Sequence, residues 1–380
     1  MPIVCAQPAS DHPFRIRTGP MKLADRREFL KIGAALAAGS AIGAAFRPAW
    51  AEDVLNPRAA NAQLLAEVGS GGALSGLTWN SGAFSKVDQL AAFRGRPVDL
   101  YGSFINHATW STMLGFPYNT SFPSYCQKPV WISLGYPLIP KNYGGMTPTK
   151  WTQLATPGNA LYDDYFAKHL QIAQNLGAVM RSSKRRCRGV IVRVGWEFNG
   201  SQAWKLTDYT KSPEYREVFR HLVAILRANV PDILIDWNPL RKGTQRKLPI
   251  ENIYPGNDVV DIVSICHYDR LPSFNSQAIW DEQYVRLDGP NPWGIGTWLD
   301  FAKRNGKKLA VPEWGLANGM KYADQSKDNP LYMQLMFNFF KQNAQDIAYE
   351  SYFNNISYHQ IVPTVKNPKG AAAYKALYSA

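Results

Sequence analysis

Two glutamates in this chain sit in surroundings that suggest chemistry. Glu197 ends the apolar run GVIVRVGWEFNG (residues 189–200), and Glu313 ends KLAVPEWG (308–315). Each is followed at once by an aromatic residue and within three positions by a glycine. One carboxylate so placed is as readily a helix cap or an arginine's partner. Two at matching strand ends make a pair. Glycoside hydrolysis needs such a pair: a protonated acid at the leaving oxygen and an ionised carboxylate at the anomeric carbon. Arg193 lies four residues before Glu197. Strand alternation puts both on one face, where the arginine could orient the carboxylates or serve as an ordinary buried ion pair.

The elements that must position them repeat along the chain. Strand-like apolar runs occupy 75–79, 97–104, 129–134, 189–195, 233–237, 259–266, 308–312 and 348–353, with Glu197 and Glu313 closing the fourth and seventh. Helical patterns fall between them, at 162–176, 213–229, 297–305 and 331–343. The second has Ser212 as its N-cap, Pro213 at the first helical position and Pro231 beyond its end. Continuous rather than alternating apolar strands fit a parallel sheet covered by helices. Eight strand–helix units with no linker predict an α/β fold, a single (β/α)8 TIM barrel over 52–380. The long connections, 106–128, 135–161, 199–212 and 267–296, all leave C-terminal strand ends, where barrel active sites lie.

The first 51 residues read as a leader. Arg26-Arg27 precede an Ala/Gly-rich apolar run over 32–46, and Ala49-Trp50-Ala51 fits an A-x-A cleavage site. That run is too short for a bilayer span, and no other stretch is long enough. The expectation is a Tat signal, with Met21 as an alternative start and a periplasmic or extracellular mature protein. Residues 1–51 hold seven Lys/Arg and three Asp/Glu, which leaves 35 basic and 26 acidic residues and a net charge of +9. For an exported protein, an anionic polysaccharide is a more natural partner than nucleic acid. Arg241-Lys242 and Arg246-Lys247 follow strand five at the catalytic rim and could meet anionic groups, with a plain surface loop as the alternative. The run Lys184-Arg185-Arg186-Cys187-Arg188 precedes strand four and reads as a solvated face on the opposite end. Cys126, Cys187 and Cys266 are too few and too oddly spaced for a disulfide framework or a zinc site. No cofactor or metal motif is present, and a monomer is expected.

Taken together, the motifs resemble glycoside hydrolase family 26, among the clan A retaining β-glycosidases, whose best-known members are endo-β-1,4-mannanases. The resemblance rests on Arg193, then Trp196-Glu197-Phe198-Asn199-Gly200 and Trp204. It continues through Asp236-Trp237-Asn238-Pro239, YPGNDVVDIVSICHYD (254–269) with its Tyr268, and Pro312-Glu313-Trp314-Gly315. It runs in order from about residue 75 to 354. It implies a retaining endo-β-glycosidase with Glu197 as acid/base and Glu313 as nucleophile, Tyr268 holding Glu313. Substrate contacts would come from Arg193, Trp196, Asn199, Trp204, Trp237, Tyr268 and Trp314. Trp79, Trp204, Trp237, Trp314 and Tyr352 fall at or beyond strand ends and could stack on sugars or pack in the core. Trp196 departs from the family's histidine. An indole donates one N–H and accepts no hydrogen bond, so the departure touches mannan specificity and leaves the two-carboxylate chemistry alone. A transglycosylase would use the same residues. A polysaccharide-binding protein on an inactive barrel is disfavoured by the presence of both glutamates.

Overall fold

A computed structural model describes residues 74–78, 85–242, 249–320, 326–354, 358–363 and 365–379. The Tat-like leader, Met21, Trp79 and Arg246-Lys247 lie outside the described residues. Eight parallel strands close a barrel: β1 (Leu74–Thr78), β2 (Leu100–Phe104), β3 (Trp131–Tyr136), β4 (Gly189–Val194), β5 (Ile233–Trp237), β6 (Ile262–Tyr268), β7 (Lys308–Gly315) and β8 (Ile347–Phe353). Each strand pairs with its sequence neighbour, and β8 closes on β1. The expected (β/α)8 architecture is the observed one. Every residue of β3, β4, β5 and β8 is buried, as strands covered on both faces must be.

Around the barrel run α1 (Ser85–Arg94), α2 (Trp110–Leu114), α3 (Phe122–Tyr125), α4 (Pro148–Ala155), α5 (Ala160–Met180), α6 (Ser212–Asn229), α7 (Gln277–Tyr284), α8 (Ile295–Arg304), α9 (Pro330–Gln342) and α10 (Pro368–Tyr378). The long loops foreseen after β2, β3 and β6 therefore carry short helices of their own. On α6, Tyr215, Val218, Phe219, Leu222 and Leu226 are buried at i, i+3, i+4 spacing and form the stripe that packs on the barrel.

Two local expectations are corrected. Ser212 is not an N-cap: it is the first residue of α6, Lys211 precedes it, and the Ser212 hydroxyl donates to the Tyr209 carbonyl at 2.6 Å. The seventh strand does not stop at Pro312 but continues to Gly315. Proline brings no N–H to a ladder, so the sequence argues for a strand end there. The sheet instead absorbs it by shifts of register in the β8 and β6 pairings beside it. The strand end is thereby carried past Glu313.

The barrel interior is tiered. Leu100, Trp131, Ile191, Leu234, Ile262, Ala310 and Ala348 form an apolar cluster with Tyr349. Nearer the C-terminal ends of the strands, the interior becomes polar.

Candidate active site

Asp236 on β5 is the hub of a fully buried polar tier. Ser264 and Tyr349 donate to its two oxygens, each at 2.5 Å, and the Tyr349 hydroxyl also lies 3.2 Å from that of Ser133. Burial pushes the Asp236 carboxyl up to about 6, against the pull of those two hydroxyls and of Arg193.

Above it, Arg193 from β4 and Glu313 from β7 meet. The guanidinium is fully buried and donates from Nη1 to Glu313 Oε1 at 2.6 Å and to Asn238 Oδ1 at 3.2 Å. The Tyr268 hydroxyl, at the end of β6, donates to Glu313 Oε2 at 2.9 Å. Both carboxylate oxygens thus accept from protein donors. The route by which Arg193 reaches the site differs from the pleat count. The β4 strand ends at Val194, and Gly195 and Glu197 take positive φ of 60° and 54°. The chain therefore turns between Arg193 and Glu197, and the arginine bonds Glu313 rather than Glu197.

Glu197 hangs from that turn. Its backbone N–H donates to the Asn238 carbonyl at 2.7 Å, and Gln202 donates to its Oε2 at 3.1 Å. Its left-handed backbone is one few non-glycine residues adopt. The residue stays half-buried while its flanks, Trp196 and Phe198, are buried. Burial pushes its carboxyl up, and the Glu313 charge pushes it further, against weaker lowering by Cys266, Gln202 and Arg193. An oxygen of Glu197, an oxygen of Glu313 and the Cys266 thiol all lie within 4.8 Å of one another. As a metal site this trio is poor. Arg193 already neutralises Glu313, and Tyr268 takes up its other oxygen.

The aromatic residues divide. Trp196 packs against Phe104 (5.3 Å between centroids), His107 (5.6 Å) and Trp204 (4.5 Å), beside the carboxylates. Phe104 in turn lies 4.8 Å below the Arg193 guanidinium. Trp204, Trp237 and Trp314 are fully buried, with indole N–H groups spent on the Trp196 carbonyl (2.9 Å), the Tyr215 hydroxyl (3.2 Å) and Glu350 (2.5 Å). Trp237 and Trp314 lie in the packing between barrel and helices, and Trp204 is enclosed by Trp196 and His107, so none of the three leaves a face for a sugar to stack on. Tyr352 is buried in the same way. Asn199 exchanges hydrogen bonds with the backbone of Leu240, at 2.7 and 3.1 Å, and straps the loops after β4 and β5 together. In the basic run before β4, Arg185 is not simply solvated. It pairs with Asp232 at 2.5 Å and donates to three carbonyls.

Asn238, Gln202, Cys266 and Phe104 belong to the site and were not singled out from sequence. Asn238 stood in a quoted motif, Asp236-Trp237-Asn238-Pro239, and could have been read as the fifth strand's contribution. For Gln202 and Phe104 the local sequence carries no signal, because only the folded loops bring them there.

No established family profile matches the chain. A mannan endo-1,4-beta-mannosidase of Bifidobacterium adolescentis is 24% identical over 218 residues, which are 53% of this chain and 21% of that protein. The match thus spans about a fifth of that relative's length. Among solved structures, a Cellulomonas fimi endo-beta-1,4-mannanase double mutant superposes with a TM-score of 0.63 at 18% identity, over 86% of this chain and 75% of that one. The catalytic domain of a family 26 endo-beta-1,4-mannanase from Bacillus sp. JAMB-750 gives 0.58 at 15% identity, over 86% and 90%. These superpositions show a shared (β/α)8 barrel fold.

Proposed function

We propose that this chain is a retaining endo-β-glycosidase acting on a β-linked polysaccharide. The observation that carries the proposal is the approach of the two carboxylates, with oxygens within 4.8 Å. Inverting enzymes hold their carboxyls roughly 6.5–9.5 Å apart to admit a water, and retaining ones about 5–5.5 Å. Glu313, positioned by Arg193 and Tyr268, attacks the anomeric carbon while Glu197 gives its proton to the departing glycosidic oxygen. Once Glu313 is esterified its negative charge is gone, and with it one of the two causes that hold the Glu197 carboxyl protonated. The same residue then takes a proton from water, which attacks the glycosyl-enzyme and releases Glu313.

β-Mannan is the first substrate class to test, since the relatives named above act on it. Trp196 offers a stacking wall beside the reacting sugar without an accepting atom, and this favours a glycan differing from mannan at that subsite. The leader supports export by the twin-arginine route, and Arg26→Lys with Arg27→Lys should leave precursor in the cytoplasm. Proton NMR of the first-formed product tests the mechanism: the β anomer is expected first, and the α anomer first would overturn it.

A further inference from the structure

Arg241, Arg270 and Arg286 stand together at the rim, with no carboxylate paired to them among the described residues. Arg241 follows β5 and is buried. Its Nη2 donates at 3.5 Å to the Arg270 carbonyl, its guanidinium lies 5.7 Å from the Phe274 ring, and its Nη1 has no partner. Arg270 lies over Tyr268 at 5.7 Å and donates to the Met320 sulfur. Arg286 lies 4.2 Å from the Trp293 ring and donates to Gln283 Oε1 at 3.0 Å. Lys242 sits over the same indole at 4.6 Å. None of the three arginines has a carboxylate partner among the described residues. Two acids of the same connection accept from other donors. Asp269 accepts from Ser273, the Phe274 N–H and Asn329, and Glu282 accepts from Gln283.

A buried, unpaired guanidinium is costly, and proteins retain such charges where something neutralises them. Burial, with Arg270 and Arg286 close by, holds the Arg241 pKa down to about 10. Beside Arg286 opens a cleft of about 430 Å³ whose charged lining is Lys242, Glu282 and Arg286, with Trp293 as one wall; Arg241 and Arg270 stand behind that lining. That volume lies in the range of small-ligand sites, roughly 300–1,000 Å³. The cluster also adjoins the reacting centre, for Arg270 rests on the tyrosine that holds Glu313.

We propose that Arg241, Arg270 and Arg286 form an anion-binding subsite that takes a carboxylate-bearing sugar residue of the substrate. This rests on the glycosidase reading for its link to cleavage but not for binding. Guanidinium forks match carboxylates in plane and spacing. The substrate class is then an acidic β-glycan rather than a neutral mannan.

The test uses the mature protein in affinity electrophoresis against glucuronate-, mannuronate- and galacturonate-bearing polysaccharides, each beside its own carboxyl-reduced form. At least one acidic polymer should bind tenfold or more tightly than its reduced form. Arg286→Gln and Arg241→Lys should remove most of that preference while leaving affinity for the reduced polymer unchanged. Lys184→Gln, at the other end of the barrel, should change neither. Circular dichroism checks that the Arg241 variant is folded, and Arg286→Gln carries the test if it is not. Equal affinity for every acidic and reduced pair overturns the proposal, as does an equal loss in Lys184→Gln, which would mark plain polyanion attraction. Preferential binding with no cleavage of any polymer would sink the glycosidase reading and leave the subsite standing.

Discussion

Replacing Arg193 by Met removes a fully buried cation whose partner, Glu313, is itself 6% exposed. The 2.6 Å ion pair is lost, and the carboxylate keeps only the Tyr268 hydroxyl. Breaking a buried pair from one side costs about 3–5 kcal/mol, because the remaining charge is stranded. Methionine fills similar space, and the unpaired Nε and Nη2 of Arg193 go with the guanidinium, which places the loss near the lower figure. At roughly 2–4 °C per kcal/mol for large domains, Tm should fall by about 6–12 °C at pH 7.5. The double variant Arg193→Met with Glu313→Gln is the sharper readout. It removes the stranded charge, so it should recover much of the Tm lost by Arg193→Met in calorimetric scans. No recovery would refute the reasoning and mark Arg193 as a packing residue. Activity should fall in Arg193→Met as well, since Glu313 loses the donor to its Oε1.

Other substitutions separate the remaining roles. Glu197→Gln should abolish the alkaline limb of the pH–rate profile, measured with an activated aryl glycoside. Activity that needs the protonated carboxyl is kept up to its raised pKa and lost above it; an unchanged limb would assign the proton elsewhere. Tyr268→Phe should lower kcat by about 10–100-fold with KM within twofold, from loss of one charge-assisted hydrogen bond of about 1.5–3 kcal/mol. Steady-state kinetics that show the loss in KM instead would make Tyr268 a binding group. Trp204→Phe and Trp237→Phe should each lower Tm through the lost indole hydrogen bond, worth about 1 kcal/mol, and leave KM unchanged. A rise in KM would restore either to a sugar subsite.

The barrel was legible because strands covered on both faces write themselves as unbroken apolar runs, as at 189–194 and 233–237, and helices at 160–180 and 212–229 carry clear stripes. Glu197 and Glu313 were legible because a carboxylate closing such a run is out of keeping with it. The aromatic residues were not. Trp237 and Trp314 alternate along strands, and sequence position at a strand end does not say whether a side chain faces the cleft or the helices. Their buried indole partners, Tyr215 on α6 and Glu350 on β8, come from distant parts of the chain. The arginine cluster was half legible. Arg241-Lys242 stood out as a rim pair, while Arg270 and Arg286 join them only through the fold of the β6–β7 connection.

The positive φ at Glu197 bears on how this chain came to keep its acid. At that backbone angle glycine is the residue with no steric cost, and asparagine or aspartate come next. A glutamate there forgoes on the order of 1 kcal/mol that a single substitution to glycine would recover. In a chain selected for folding alone, mutation would drift the position toward glycine, and the drift would be rewarded by a more stable barrel. A glutamate at that angle is thus kept at a small cost in stability, and the proposed use of its carboxyl would account for that cost.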